Sequence, residues 1–131
     1  MTKAELAEPF VAFLRTEGYV PTTDEDGDIR FKCEGWLYLV VFDEDDPQYF
    51  RLILPNFYSA EDDTSRREAI EAANKATAAT KVAKLFLLDD GSASATVELF
   101  ATPLEAVLPV FVRSLGAIKA AVRSFIETIE A

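Results

Sequence analysis

The stretch from Asp24 to Asp28, written DEDGD, has the carboxylate density of a cation-binding loop. A calcium loop of the helix-loop-helix type needs oxygen ligands at positions 1, 3 and 5, glycine at position 6 and glutamate at position 12. If Asp24 is position 1, then positions 3 and 5 are Asp26 and Asp28, as required. Position 6, however, is Ile29 and not glycine, and position 12 is Gly35 and not glutamate. The stretch is therefore predicted to be the entrance to a strand.

The remaining clustered carboxylates fall at predicted turns. Asp is favoured in turns because its short side chain accepts hydrogen bonds from nearby backbone amides, so these positions need no ligand. There are two alternatives: a weak divalent-cation site where two turns meet, and a pair of general acid/base carboxylates. Nothing in the sequence sets the separation of the carboxylates that such a pair requires. Solvated turns are predicted at positions 43 to 46, 62, 63, 89 and 90.

Nucleophile and cofactor chemistry has little support in the sequence. The chain has no histidine, so imidazole-based triads, histidine metal sites and histidine pH switches are excluded. Cys33 is the single cysteine and is predicted to point into an apolar sheet face, where a thiol is inert. No glycine-rich phosphate loop is present. We predict no catalytic residue, no metal site and no cofactor.

Composition limits the classes of partner. With 131 residues, half of them hydrophobic, the chain is predicted to form a single domain over residues 1–131. No apolar run approaches the roughly 18 residues of a membrane span, and no secretory signal is recognisable, so we expect a cytoplasmic protein without a membrane partner. A net charge of -10 repels phosphates, which argues against nucleic acid.

Hydrophobic periodicity indicates three helices and five strands. Thr2 and Glu5 form a possible capping box for a first helix that ends near Gly18, and Thr102 with Glu105 is predicted to cap a last helix. The pattern predicts an α+β domain in the order α-β-β-β-α-β-β-α, with an antiparallel sheet packed by helices. Beyond the first hairpin, the predicted elements are a strand at 49–54, a helix at 66–80, strands at 82–88 and 93–101, and a helix from 104.

The second predicted strand, within WLYLVVF, is apolar on both faces. A two-residue turn at Glu34 and Gly35 places one set of side chains on the core side of the sheet. This core-side set comprises Ile29, Phe31, Cys33, Trp36, Tyr38, Val40 and Phe42.

The other side chains of the hairpin and of the next strand then emerge together on the opposite face. Exposed apolar patches usually mark interaction sites, and a sheet with a free edge can accept an extended peptide. Alternatively, the first or last helix covers this face, or it forms a pocket for an apolar small molecule. The predicted partner-binding residues are Arg30, Lys32, Leu37, Leu39, Val41, Arg51 and Ile53.

The order and texture of these elements resemble the YbjN family and, more broadly, the type III secretion chaperone-like fold. The resemblance runs from about Ala4 to Ile129. It rests on DIRFKCEGWLYLVVF followed by YFRLILPNF, on EAANKATAATKVAKLFLLDDG with Asn74, and on the final VFVRSLGAIKAAVRSFIETI.

The resemblance implies a domain without enzymatic activity. Secretion chaperones form homodimers and hold an extended client segment against apolar grooves, whereas YbjN-type proteins are described as putative sensory transduction regulators. Our leading hypothesis is a dimeric, chaperone-like module that binds a protein or peptide client. The alternative is a regulatory or sensory domain that binds a small ligand or a divalent cation.

Overall fold

The computed structural model describes residues 1–131 and shows six strands and three α-helices. The chain follows an α+β order close to the predicted one, with a short extra strand and a 3-10 segment added. Its elements are α1 (Lys3–Thr16), β1 (Thr22–Thr23), β2 (Ile29–Cys33), β3 (Trp36–Val41), β4 (Tyr49–Ser59), α2 (Asp63–Ala79), β5 (Ala83–Leu87), β6 (Ser92–Phe100), a 3-10 helix (Leu104–Val110) and α3 (Phe111–Glu130).

The strands form one antiparallel sheet in the order β1-β2-β3-β4-β6-β5. The β2–β3 turn has positive φ at both central residues, 52° at Glu34 and 84° at Gly35, as a two-residue hairpin turn requires. Cys33 therefore pairs with Trp36, which is the predicted register. Because side chains alternate along a strand, this register fixes which residues face the helices.

All three α-helices lie on one face of the sheet. From α1, the ring of Phe10 lies 5.5 Å from that of Phe42 and 5.8 Å from that of Phe50, measured between centroids. From α3, Phe111 lies 6.1 Å from Phe31 and 6.0 Å from Phe50. These rings belong to one buried core of 30 residues. Aromatic contacts thus hold two helices against the same side of the sheet.

The second helix closes the β5 edge of the sheet. Its buried side is made of alanines, which allows close approach to its neighbours. Thr77 Oγ1 accepts a hydrogen bond from the backbone N–H of Leu85 at 2.9 Å, and an Arg66 Nη donates to the carbonyl of Leu88 at 3.0 Å. Since these side chains satisfy edge groups, β5 offers little to a further strand.

The predicted core-side set is confirmed except at one position. Ile29, Phe31, Cys33, Tyr38, Val40 and Phe42 are buried, but Trp36 is 44% exposed. Trp36 directly follows the hairpin turn and is the first residue of β3, where only part of its indole is covered.

The predicted start of the last helix is wrong. Leu104–Val110 forms a 3-10 helix without a side-chain cap, and the α-helix begins only at Phe111. Pro109 supplies the reason, because proline has no N–H and its ring clashes with the carbonyl four residues earlier in an α-helix. At the N-terminus, by contrast, the predicted capping box of Thr2 and Glu5 is confirmed.

None of the helices combines the length and the apolar content needed to cross a bilayer. The long α3 keeps charged residues along its outer side, among them Arg113 and Arg123, which are exposed.

Truncation of the ring at the centre of the aromatic cluster should be costly. We expect Phe111→Ala to lower the free energy of unfolding by about 3–5 kcal/mol, since it removes a fully buried ring and leaves a cavity. Urea unfolding at neutral pH measures the change. The matched control is Val112→Ala, the next residue on the same helix but half exposed, which should cost under about 1 kcal/mol. Equal losses for the two variants would contradict the assigned role of Phe111.

Candidate functional site: the open face of the sheet

The side of the sheet that faces away from the helices, here called the open face, brings the predicted binding residues together. On this face Leu39 pairs with both Arg30 and Ile53. The other cross-strand pairs among the predicted residues are Lys32 with Leu37 and Val41 with Arg51. The seven residues therefore form one patch across β2, β3 and β4.

Exposure differs within this patch. Arg30 and Lys32 are exposed, whereas Leu37, Leu39 and Val41 are each half-buried by their neighbours on the strands. No helix covers them, because the aromatic contacts place α1 and α3 on the other face. The three apolar side chains and the two basic ones thus form a mixed apolar and cationic surface.

Ile53 differs from the other predicted residues. It is only 8% exposed, since it lies between Leu39 on β3 and Thr96 on β6, and so presents almost no surface of its own. Its part in the patch is to support Leu39 from the side.

Arg51 has a buried side-chain donor without a partner. Its Nε is buried and makes no hydrogen bond. Its cross-strand neighbour on β6 is Glu98, but no ion pair forms between them. A buried N–H without an acceptor is costly.

Glu98 is committed to a network that the sequence did not reveal. Its carboxylate accepts hydrogen bonds from Lys84 Nζ at 2.8 Å, from Thr96 Oγ1 at 2.7 Å and from the hydroxyl of Tyr49. Burial alone would raise the pKa of Glu98, but these hydrogen bonds outweigh it and lower the pKa to about 2. The pKa of Tyr49 is raised to about 12, mainly by burial and secondly by the hydrogen bond to Glu98.

The β2 edge of the sheet is only partly paired. Strand β1 has two residues and reaches no further along β2 than Arg30. Cys33 and Trp36 flank the two-residue turn and form a backbone hydrogen-bonded pair. Since such pairs alternate with non-hydrogen-bonded pairs along an antiparallel ladder, the backbone N–H and C=O of Lys32 point away from β3. A depression of roughly 480 Å³ lies beside this edge, with Val20, Lys32 and Leu37 in its lining.

The acidic entrance to β2 behaves as the sequence predicted, since Ile29 begins the strand directly after it. Asp24 Oδ1 accepts hydrogen bonds from the backbone amides of Asp26 at 2.9 Å and Asp28 at 3.0 Å. Asp28 Oδ1 accepts one from the amide of Phe42 at 2.9 Å and pairs with Lys3 Nζ at 3.1 Å. These bonds hold Asp24 and Asp28 in place, and oxygens of the Asp24, Asp26 and Asp28 carboxylates lie within 4.8 Å of one another.

Cys33 is buried on the helix side, as predicted. Its Sγ lies 3.6 Å from the hydroxyl of Tyr19, and Phe31 packs against the ring of Tyr19. Its polar neighbours are this hydroxyl and the ammonium group of Lys119.

Comparison with known proteins identifies the fold. A chain of the HopA1–SchA chaperone–effector complex aligns with a TM-score of 0.64 and 15% identity, over 98% of this chain and 96% of that one. The crystal structure of the Yersinia pestis type III secretion chaperone SycH, in complex with a stable fragment of YscM2, aligns with a TM-score of 0.47 and 17% identity, over 88% of this chain and 99% of that one.

Sequence comparison adds no closer relative. No family model matches the chain, and no curated protein matches it, so the resemblance to the YbjN family stays a prediction. The six-stranded antiparallel sheet with its helices is that of the type III secretion chaperone-like fold.

The Glu98 network predicts a pH-dependent contribution to stability. The pKa of the folded carboxyl group lies below the ordinary 4.5, so its stabilising effect is complete above about pH 4.5 and is lost as the pH falls towards 2. At pH 7 we expect Glu98→Gln to lower the free energy of unfolding by on the order of 2 kcal/mol. The deficit should shrink steadily between pH 5 and the lowest pH at which the protein still folds.

Urea unfolding at a series of pH values measures this deficit. The exposed Glu105 provides the control Glu105→Gln, which should differ little from the native protein across the same range. A Glu98→Gln deficit that does not change with pH would show that the network contributes through shape and not through charge.

Proposed function

We propose that this protein is a cytoplasmic, non-enzymatic, chaperone-like module that holds an extended or partly folded protein partner on the open face. One observation carries the proposal: strand β3 is apolar on both sides, yet all three helices lie on one side. In an antiparallel sheet the uncovered side normally turns polar residues to water. Leu37, Leu39 and Val41 depart from that rule together.

The patch suits a partner segment with apolar and acidic side chains. Leu37, Leu39 and Val41 would supply the apolar contacts, with Ile53 supporting Leu39 from the side. Arg30, Lys32 and Arg51 would orient or select carboxylates. Charged residues at the rim favour encounter and specificity more than affinity.

The edge beside the patch suits an extended backbone. The unpaired backbone groups of Lys32 could bond to a partner strand laid along β2, while its alternate side chains contact the open face. Such strand addition supplies affinity through the main chain and specificity through the side chains.

The fold comparison supports the same class of function. The HopA1–SchA structure is a chaperone–effector complex, so a protein with this fold binds another protein there. At 15% identity the likeness concerns the fold, and the proposed partner surface rests on the residues of this chain.

We also propose a homodimer, as the resemblance to secretion chaperones implies. Light scattering should then give twice the chain mass of 14.5 kDa at tens of micromolar protein. A strict monomer at that concentration would contradict the dimer. It would leave the open-face proposal standing, since the patch lies within one chain.

Negative charge introduced into the patch should abolish binding of the partner. We expect the native protein to retain a specific partner from a lysate of its source cells, and the double variant Leu37→Glu with Leu39→Glu to lose it. The two glutamates would stand opposite Lys32 and Arg30, so cross-strand ion pairs should allow the sheet to fold while removing both the apolar and the cationic character of the patch. Mass spectrometry of the retained proteins measures the loss.

The control makes the same charge change on the helix layer, as Ile70→Glu with Val112→Glu, two exposed positions. It should retain the partner. Circular dichroism and urea unfolding must show both variants to be folded. Retention by the patch variant, or equal loss in both variants, would overturn the placement of the partner on the open face.

A further inference from the structure

A second cavity, on the helix side of the sheet, combines apolar side chains with two cations. It is a groove of roughly 670 Å³ between the end of α2, the turn into β5 and the first half of α3. We propose that this groove binds a free anionic amphiphile, with an unbranched hydrocarbon chain along α3 and a carboxylate between Lys81 and Arg113. The proposal does not depend on the open face.

The lining of the groove is suited to a hydrocarbon chain. Val82, Leu99, Val110, Ala117 and Ala120 provide its apolar surface. Val82 and Val110 remain largely exposed, at 61% and 42%, so nothing in the chain covers them. Apolar side chains in a concave site of this volume are typical of pockets for a single small molecule.

The dimensions of the groove limit the length of the chain. Its lining extends from Val110, at the end of the 3-10 helix, to Ala120 on α3, about 15 Å along the axis, which is the length of an extended chain of about ten to twelve carbons. A volume of roughly 670 Å³ accommodates one such molecule.

The charge of the groove selects the head group. The whole chain has 23 acidic and 13 basic residues, but the charged residues of the lining are Lys81 and Arg113, with no carboxylate among them. Neither cation makes an ion pair within the chain. Two unpaired cations beside an apolar groove would attract an anion.

A tight backbone turn lies at the rim of the groove. Ala83 N–H bonds to the carbonyl of Lys81 at 2.7 Å, and Val82 between them has φ of 56°, a left-handed value that is rare for a β-branched residue. This tight turn stands at the mouth of the groove, with Lys81 beside it.

Decanoate is the probe for this site. Titration of decanoate into the ¹⁵N-labelled full chain, followed by amide resonances, should give saturable shifts centred on Val82, Ala117 and Ala120, with one molecule bound per chain. 1-Decanol, which has the same chain length but no charge, should bind about tenfold more weakly or worse. Acetate, which has the head group alone, should not saturate at the same concentrations.

Two variants locate the site. Gly116→Leu should fold, because a Cβ at this helical position meets no atom within 4 Å, and its side chain should fill the groove and weaken decanoate binding by at least about tenfold. Lys81→Glu with Arg113→Glu should weaken it by at least about tenfold and leave weak 1-decanol binding unchanged. The control Arg123→Glu changes an exposed arginine that lies about 15 Å from Arg113 along α3. It should leave the affinity for decanoate within about twofold of the native value.

Several results would overturn the proposal. Shifts confined to the open face, an absence of saturation, or equal affinity for decanoate and 1-decanol would each reject an anion-selective groove. Resonances of the groove that shift with protein concentration without any probe, and stop doing so in Gly116→Leu, would instead assign the groove to a second copy of the chain.

Discussion

The arrangement of the molecule depends on the packing of aromatic rings on one face of the sheet. Phe111 of α3 contacts rings from α1, β2 and β4, so a single side chain joins the first and last helices to the middle of the sheet. The alanine side of α2 then packs beside α3 and β5. With every helix drawn to this side, the other face of the sheet is left to water or to a partner.

That asymmetry gives the open face its character. Strand β3 has apolar residues on both sides, and the hairpin register sends one set into the core and the other outward. The outward set lies beside Arg30 and Lys32 on one flank and Arg51 on the other. Towards β6 the same face changes to a closed polar network around Glu98, whose hydrogen bonds are already satisfied within the chain. The apolar and basic part of the face is therefore the part on β2, β3 and β4.

The features that the sequence predicted well are those set by near neighbours in the chain. The capping box of Thr2 and Glu5, and the turn at Glu34 and Gly35, depend on residues three or fewer positions apart, and both are present. The hairpin turn fixes the register of β2 and β3, and the register predicts which side chains share the patch.

The features that the sequence missed depend on distant parts of the chain. Glu98 meets Lys84 and Tyr49 because β6 is inserted between β4 and β5, an order that no local pattern specifies. Ile53 is buried for the same reason, since its neighbour Thr96 also comes from β6. At the last helix, the segment that contains Pro109 forms a 3-10 helix in place of the predicted first turns of the α-helix.

The most direct test of the central claim is a methyl NMR map of the complex. The protein would carry labelled methyl groups on Leu, Val and Ile, and the binding segment of a captured partner would be added. We expect shifts at Leu37, Leu39 and Val41, with Ile70 and Val112 on the helix side of the sheet unchanged. Shifts confined to the helix layer, with the open-face methyl groups unchanged, would contradict it.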